Sequence, residues 1–233
     1  MFYYDPTMIL VIPAMIFALI AQGMVNSAFS RYSKVRARSG MTGEQVARAL
    51  AHSNGLNVTV HEVKGTLSDH YDPVKKTINL SPEIYRGTSI AALSVAAHET
   101  GHAVQDKTGY GFLKLRHALV PITQIGSNMA IPLFIIGMLL SAGSSSSIGW
   151  FLMNLGIVFF TVAVAFQIIT LPVEFNASSR ARQMLVREGY ISGDEASGVK
   201  SMLNAAAMTY VAATAVAVFQ LLRLLVIRGN NRD

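Results

Sequence analysis

Long apolar runs alternate with polar stretches along the chain, and the lengths of the two kinds of segment predict its architecture. Four runs, approximately Met8 to Phe29, Leu119 to Ala142, Ile148 to Leu171 and Ala205 to Ile227, match the roughly 20 helical residues that cross a hydrocarbon core about 30 Å thick. Each is predicted to be a transmembrane helix. The polar stretch between the first two has shorter periods. Thr42 to Asn54 reads as a helix, with Thr42 and Gln45 at capping-box spacing and Gly55 as its stop. The β-branched segments "NVTVHEV", Asn57 to Val63, and "KKTINL", Lys75 to Leu80, are predicted strands around a turn that includes Asp72 and Pro73. Ser81 followed by Pro82 starts a short helix. Thr88 or Ser89 caps a longer one that runs to about Lys107. Beyond the third run, Pro172 is expected to open a separate helix.

Composition strengthens the membrane reading. Of 233 residues, 52% are hydrophobic and only 14% charged, more apolar than a soluble domain needs to fill its core. There is no cysteine, which excludes disulfides and thiolate metal sites, so a metal would have to be held by His, Asp or Glu.

The net charge of +6 gains meaning from its distribution. Twelve of the 19 lysines and arginines lie between Asn26 and Ala118, and four more, Arg180, Arg182, Arg187 and Lys200, between Pro172 and Asn204. The N-terminal segment and the turn "SAGSSSSIG", Ser141 to Gly149, carry none. Cytoplasmic loops are the basic ones, so the chain is expected to be a multi-pass protein of the cell membrane with its N-terminus outside and two cytoplasmic loops. The first run has no basic residue before it and is followed by "RYSKVRAR", Arg31 to Arg38, the reverse of a cleavable signal peptide. Arg223, Arg228 and Arg232 fall on the side expected to be outer, which leaves the side of the C-terminal tail open. The predicted divisions are an anchor at 1–29, a cytoplasmic region at 30–118, a transmembrane hairpin at 119–171, a cytoplasmic helix at 172–204 and a fourth span with its tail at 205–233.

Within the helix ending near Lys107 stands "LSVAAHETGHAVQD", Leu93 to Asp106. His98 and His102 are four apart, so both imidazoles project from one helix face, one turn apart. Two imidazoles so placed can hold one Zn²⁺, and Glu99 beside them suits a general base acting on water. The bland alternative is a polar stripe that happens to match; with six His and seven Glu, a chance HExxH arises in about one such chain in 200. Gly101 costs about 1 kcal/mol in a helix interior relative to alanine, which predicts close approach of another segment near the metal.

Catalytic zinc takes three protein ligands and leaves a position for water. His52, His61, His70 and His117 are candidates for the third, each with a plain alternative on a helix, strand, turn or membrane interface. Glu174, in "LPVEFNASSRARQ" just past the third run, is the stronger one, because the charge-derived topology puts it on the same face of the membrane as HETGH. Its alternative role is an acidic first-turn residue favoured by the helix dipole.

"AAHETGHAVQ" together with "TLPVEFNASSRA" resembles the YugP-like membrane zinc metallopeptidases over nearly the whole chain. More distantly, HExxH followed by E-F-x-A is similar to the HtpX-type and CAAX prenyl protease metallopeptidases. The resemblance implies one catalytic zinc on His98, His102 and Glu174, with Glu99 catalytic. In the distant relatives an aspartate commonly stands four residues after the ligand glutamate; here that position is Ser178, so Asn176 or Ser178 is the candidate partner of a ligand histidine.

The expected fold is therefore mainly α and integral to the membrane, about four transmembrane helices with a small α+β zincin-like cytoplasmic domain. The expected activity is a zinc-dependent metalloendopeptidase facing the cytoplasm and acting on a membrane-associated polypeptide. His70, Tyr71, Tyr85 and Arg180 are candidate donors to the oxyanion or substrate, and the strand Lys75 to Leu80 could offer an edge to an extended substrate. Rival readings are an intramembrane protease and a non-catalytic multi-pass scaffold or transporter with a structural zinc. The spans carry almost no ionisable groups, against a transporter; Gly126 and Ala130 fit close helix packing instead. Arg31 to Arg38 suits anionic lipid rather than nucleic acid.

Overall fold

The computed structural model describes residues 6–142 and 146–230; the central part of the expected Ser/Gly turn and the terminal Arg232 lie outside them. A 3-10 turn, Pro6–Leu10, leads into α1 (Ile12–Tyr32), followed by α2 (Gly43–Ser53), β1 (Thr59–Glu62), β2 (His70–Asp72), β3 (Thr77–Leu80), α3 (Pro82–Arg86), α4 (Ile90–Lys107), α5 (Gly111–Ser141), α6 (Ser147–Arg187) and α7 (Asp194–Asn230). Among the described residues four helices, α1, α5, α6 and α7, are long and apolar enough to cross a membrane. The chain divides into two compact units: residues 6–20, 115–171 and 210–230 form the first, and 21–114 and 172–209 the second.

The first unit is helical throughout. Phe134, Met153, Ile157 and Leu224 are buried together at its centre, while Leu19, Ile125, Leu139, Ile148 and Phe151 are each more than 60% exposed. Apolar side chains turned outward on helices of this length suit lipid rather than water. With no hydrophobic drive between helices in lipid, close backbone packing does the work. A Cβ on Gly156 would come 2.6 Å from the Ala130 carbonyl oxygen, so α5 and α6 meet where the small residues stand.

The second unit follows its local signals closely. Thr42 accepts from the Gln45 amide at 3.2 Å while the Gln45 side chain accepts from the Thr42 N–H at 3.0 Å, a complete capping box at the start of α2. Gly55, with φ +60°, ends the turn beyond it in a left-handed conformation that suits glycine. Of the two expected caps of α4, it is Ser89 that accepts from Ala92 N, at 3.1 Å.

Three expectations fail here. β1 and β3 are not neighbours around the Asp72 turn: they pair in parallel, Thr59 opposite Thr77 and Glu62 opposite Leu80. The Asp72 turn instead joins β3 to β2, a three-residue antiparallel strand with no apolar alternation to announce it. The Asp72 carboxylate accepts from the Val74 and Lys75 amides at 2.9 and 3.0 Å, an Asx turn that holds this hairpin and draws the carboxyl below its ordinary value. The sheet order is β1-β3-β2, so β3 has both edges occupied and offers none to a substrate. Pro172 also opens no new helix: α6 runs from Ser147 through it to Arg187. The proline lacks the N–H that would bond Ile168, but a helix can carry one such break when neighbouring turns hold.

α4 is the spine of this unit. Leu93 and Ala97 pack with Val46, Leu50, Leu185 and Val199 on one side, and Ala92 and Ala96 with Val60, Ile78, Leu80 and Ile84 on the other. Its many alanines let two cores approach one helix closely. Against α6 the approach is closest: a Cβ on Gly101 would stand 2.7 Å from the Ala177 carbonyl oxygen, the close approach that the helical glycine predicts. Gly101→Ala should therefore push α4 and α6 apart and cost about 1–3 kcal/mol, a lowered melting temperature by circular dichroism in detergent. Gly23→Ala, whose Cβ would meet nothing within 4 Å, should leave the melt nearly unchanged.

Candidate metal centre

The metal-binding geometry grows from the α4–α6 contact. His98, Glu99 and His102 come from one turn of α4, and Glu174 from α6. The pairs that touch run in opposite senses along the two helices: His98 meets Ser178, Gly101 meets Ala177, and Gln105 meets Val173. The helices are thus antiparallel here, and Glu174 falls opposite the turn that carries both histidines.

His98 Nε2 lies 3.2 Å from His102 Nε2, and Glu174 Oε2 lies 3.3 Å from the first and 3.7 Å from the second. Four tetrahedral ligands at zinc's bond lengths of about 2.0–2.1 Å stand roughly 3.3 Å from one another, so the three atoms are spaced as partners of one ion. Among the described residues these three form the group able to hold a metal; His52, His61, His70 and His117 lie outside it. The donor set, two imidazoles and a carboxylate, suits zinc.

Burial sharpens the electrostatics. Glu174 is 2% exposed and Glu99 8%, and carboxylates so enclosed need charge or hydrogen-bond partners. Desolvation disfavours charge on His102, but contact with Glu174 and the negative charges of Glu99 and Glu174 outweigh it and raise the imidazole above its ordinary value. A cation is at home between these groups, whether a proton or a metal.

Around the three donors stand hydrogen-bonding partners. Ser178 Oγ is 3.2 Å from His98 Nδ1, in direct contact. Asn176 reaches the site at one remove: Gln105 Oε1 is 3.0 Å from His102 Nδ1, and Gln105 Nε2 donates to Asn176 Oδ1 at 3.0 Å. Sequence reasoning missed Gln105, although its position three residues after His102 on a helix, facing the same way, was a usable signal. Arg180 Nε donates to the same Asn176 oxygen at 2.7 Å.

The other candidate donors have partners of their own. Tyr71 donates its hydroxyl to Asp106 Oδ2 at 2.7 Å, and burial together with that carboxylate raises the phenol well above its ordinary value, keeping it neutral. His70 has Nδ1 against the Ser68 carbonyl at 2.8 Å and Nε2 against Asn79 at 3.2 Å. Tyr85 packs beside the sheet-side core.

Nearly the whole chain is similar to known proteins. The family described as "Putative neutral zinc metallopeptidase" matches residues 7–229. The chain is 51% identical over 225 residues, covering 96% of its own length and 97% of the relative's, to the "Putative membrane protease YugP" of Bacillus subtilis (strain 168). No solved structure matches it. A match that spans the HETGH helix, Glu174 and the four apolar helices together means that the chain belongs to this family of zinc metallopeptidases.

Proposed function

We propose that the chain is an integral-membrane, zinc-dependent metalloendopeptidase that hydrolyses peptide bonds of membrane-associated polypeptides, with its site in a zincin-like domain on the cytoplasmic side. The observation that carries the reading is the set of three donor atoms 3.2 to 3.7 Å apart with Glu99 adjoining on the same helix turn. His98, His102 and Glu174 would hold the ion, which supplies Lewis acidity toward a water and the scissile carbonyl. Glu99 takes the proton from the attacking water and delivers it to the departing amine nitrogen. Its burial keeps that proton from exchanging freely with solvent. Of the four candidate donors to the developing oxyanion, Arg180 is the one joined by hydrogen bonds to the ligand surroundings, and its charge favours the role.

A structural zinc would be closed by four protein ligands, whereas three donors converge among the described residues. An intramembrane protease would place HETGH within a spanning helix, and α4 is not among the four helices with that length and apolarity. The cytoplasmic assignment is supported by the basic stretch Arg31 to Arg38 after the first span and by Arg180, Arg182 and Arg187 after the third.

Glu99→Gln should keep one zinc per chain by elemental analysis while peptide cleavage falls by about 10²–10⁴-fold; undiminished cleavage would remove Glu99 as the base. Glu174→Ala should lower zinc occupancy sharply, and full occupancy would take it out of the ligand set. Both imidazoles must be neutral to bind metal. Because the proton affinity of His102 is raised, its protonated form persists to higher pH than in a free histidine, and zinc should begin to leave as pH falls toward the histidine range, earlier than for an unperturbed pair. Occupancy after dialysis at stepped pH reads this directly. The chain has no cysteine, so Thr108→Cys should react with an impermeant thiol reagent only in opened cells; labelling from outside would overturn the cytoplasmic site.

A further inference from the structure

We propose that Gln105 is the positioning residue of the metal centre: its amide, held between His102 and the backbone beside Glu174, dictates which ring nitrogen of His102 faces the other donors. The inference rests on the reading of His98, His102 and Glu174 as zinc ligands. Gln105 is fully buried, so its one acceptor and two N–H donors must all be satisfied by protein. Its Nε2 lies 2.8 Å from the Val173 carbonyl oxygen. A peptide carbonyl can only accept, so the nitrogen end of the amide must face it; the reversed amide would set two oxygens against each other. The second N–H goes to Asn176 Oδ1. That oxygen is fixed in turn, because Arg180 Nε, which can only donate, stands 2.7 Å from it.

Oε1 of Gln105 is then turned toward His102 Nδ1 at 3.0 Å, and an oxygen without a proton can only accept. Nδ1 must carry the hydrogen. In the neutral ring this leaves the lone pair on Nε2, the atom that faces His98 Nε2 and Glu174 Oε2. Two groups of unchangeable polarity, a guanidinium and a peptide carbonyl, thus set the tautomer of His102 through one amide. Val173 immediately precedes Glu174, so the same amide also registers one ligand's ring against the backbone of another. His98 differs: its partner, the Ser178 hydroxyl, can donate or accept and imposes no tautomer.

The test uses the full chain in detergent micelles, isotope-labelled at the histidine ring nitrogens, with His102 assigned by its loss in a His102→Ala sample. In metal-free protein at alkaline pH, long-range nitrogen–proton spectra should place the His102 hydrogen on Nδ1. Finding it on Nε2 overturns the proposal without any change at Gln105. Competition with a chromogenic chelator should show zinc affinity 10- to 100-fold weaker in Gln105→Leu. Wild-type affinity in Gln105→Leu would also overturn it. A wild-type chain that binds no zinc sinks the ligand reading alone; the ring proton of His102 still decides the assignment of Gln105.

Discussion

The close approach of two helix backbones at Gly101 and Ala177 is the constraint from which the site follows. Glu174 stands one turn before Ser178 on α6, and His98 and His102 span one turn of α4. A carboxylate side chain is short, so it reaches two imidazoles on a neighbouring helix only if the backbones nearly touch. A methyl group on residue 101 would collide with the Ala177 carbonyl oxygen at 2.7 Å. The helical cost of that glycine, about 1 kcal/mol, is offset by the geometry it permits: antiparallel helices in register, with donors facing donors over successive turns.

Helices this close must also be fully satisfied inside. Gln105 and Thr100 are completely buried, and Glu174 nearly so; an unpartnered polar group in that setting costs about 1–3 kcal/mol. Thr100 returns its hydroxyl to the Ala96 carbonyl at 2.9 Å, and Gln105 spends all of its capacity across the interface. At the far end of α4, Lys107 donates to the carbonyls of Asn54 and Gly55 at 2.7 and 2.9 Å, closing the last turn of α2. The helix that presents the histidines is thus tied at its end as well as packed along its sides.

Much of this was legible in the sequence, for identifiable reasons. The spans were marked by uninterrupted apolar runs, α2 by the Thr42 and Gln45 box, α4 by Ser89, and the need for a close neighbour by Gly101. Each of these signals is local. What escaped depended on partners outside the segment itself. β2 has no apolar alternation of its own and exists because β3 is there to pair with it. Pro172 would stop an isolated helix, yet α6 continues because the residues after it pack: Val173, Ala177, Ala181 and Leu185 are all fully buried. Hydropathy marks where a helix can enter lipid, and packing decides how far it continues beyond.

The neutral partners of the two histidines follow from the charge already present. Glu99 and Glu174 are both buried within this one turn of structure, and an aspartate at position 178, as in the distant relatives, would add a third carboxylate beside them. Like charges at such range in a poorly hydrated site disfavour one another, so a third carboxylate would cost stability unless further positive charge came with it. A serine at 178 and a glutamine at 105 orient both rings through hydrogen bonds without that charge. Glu99 and Glu174 then act on His102 with no further carboxylate at position 178 to compete for the positive charge the site holds.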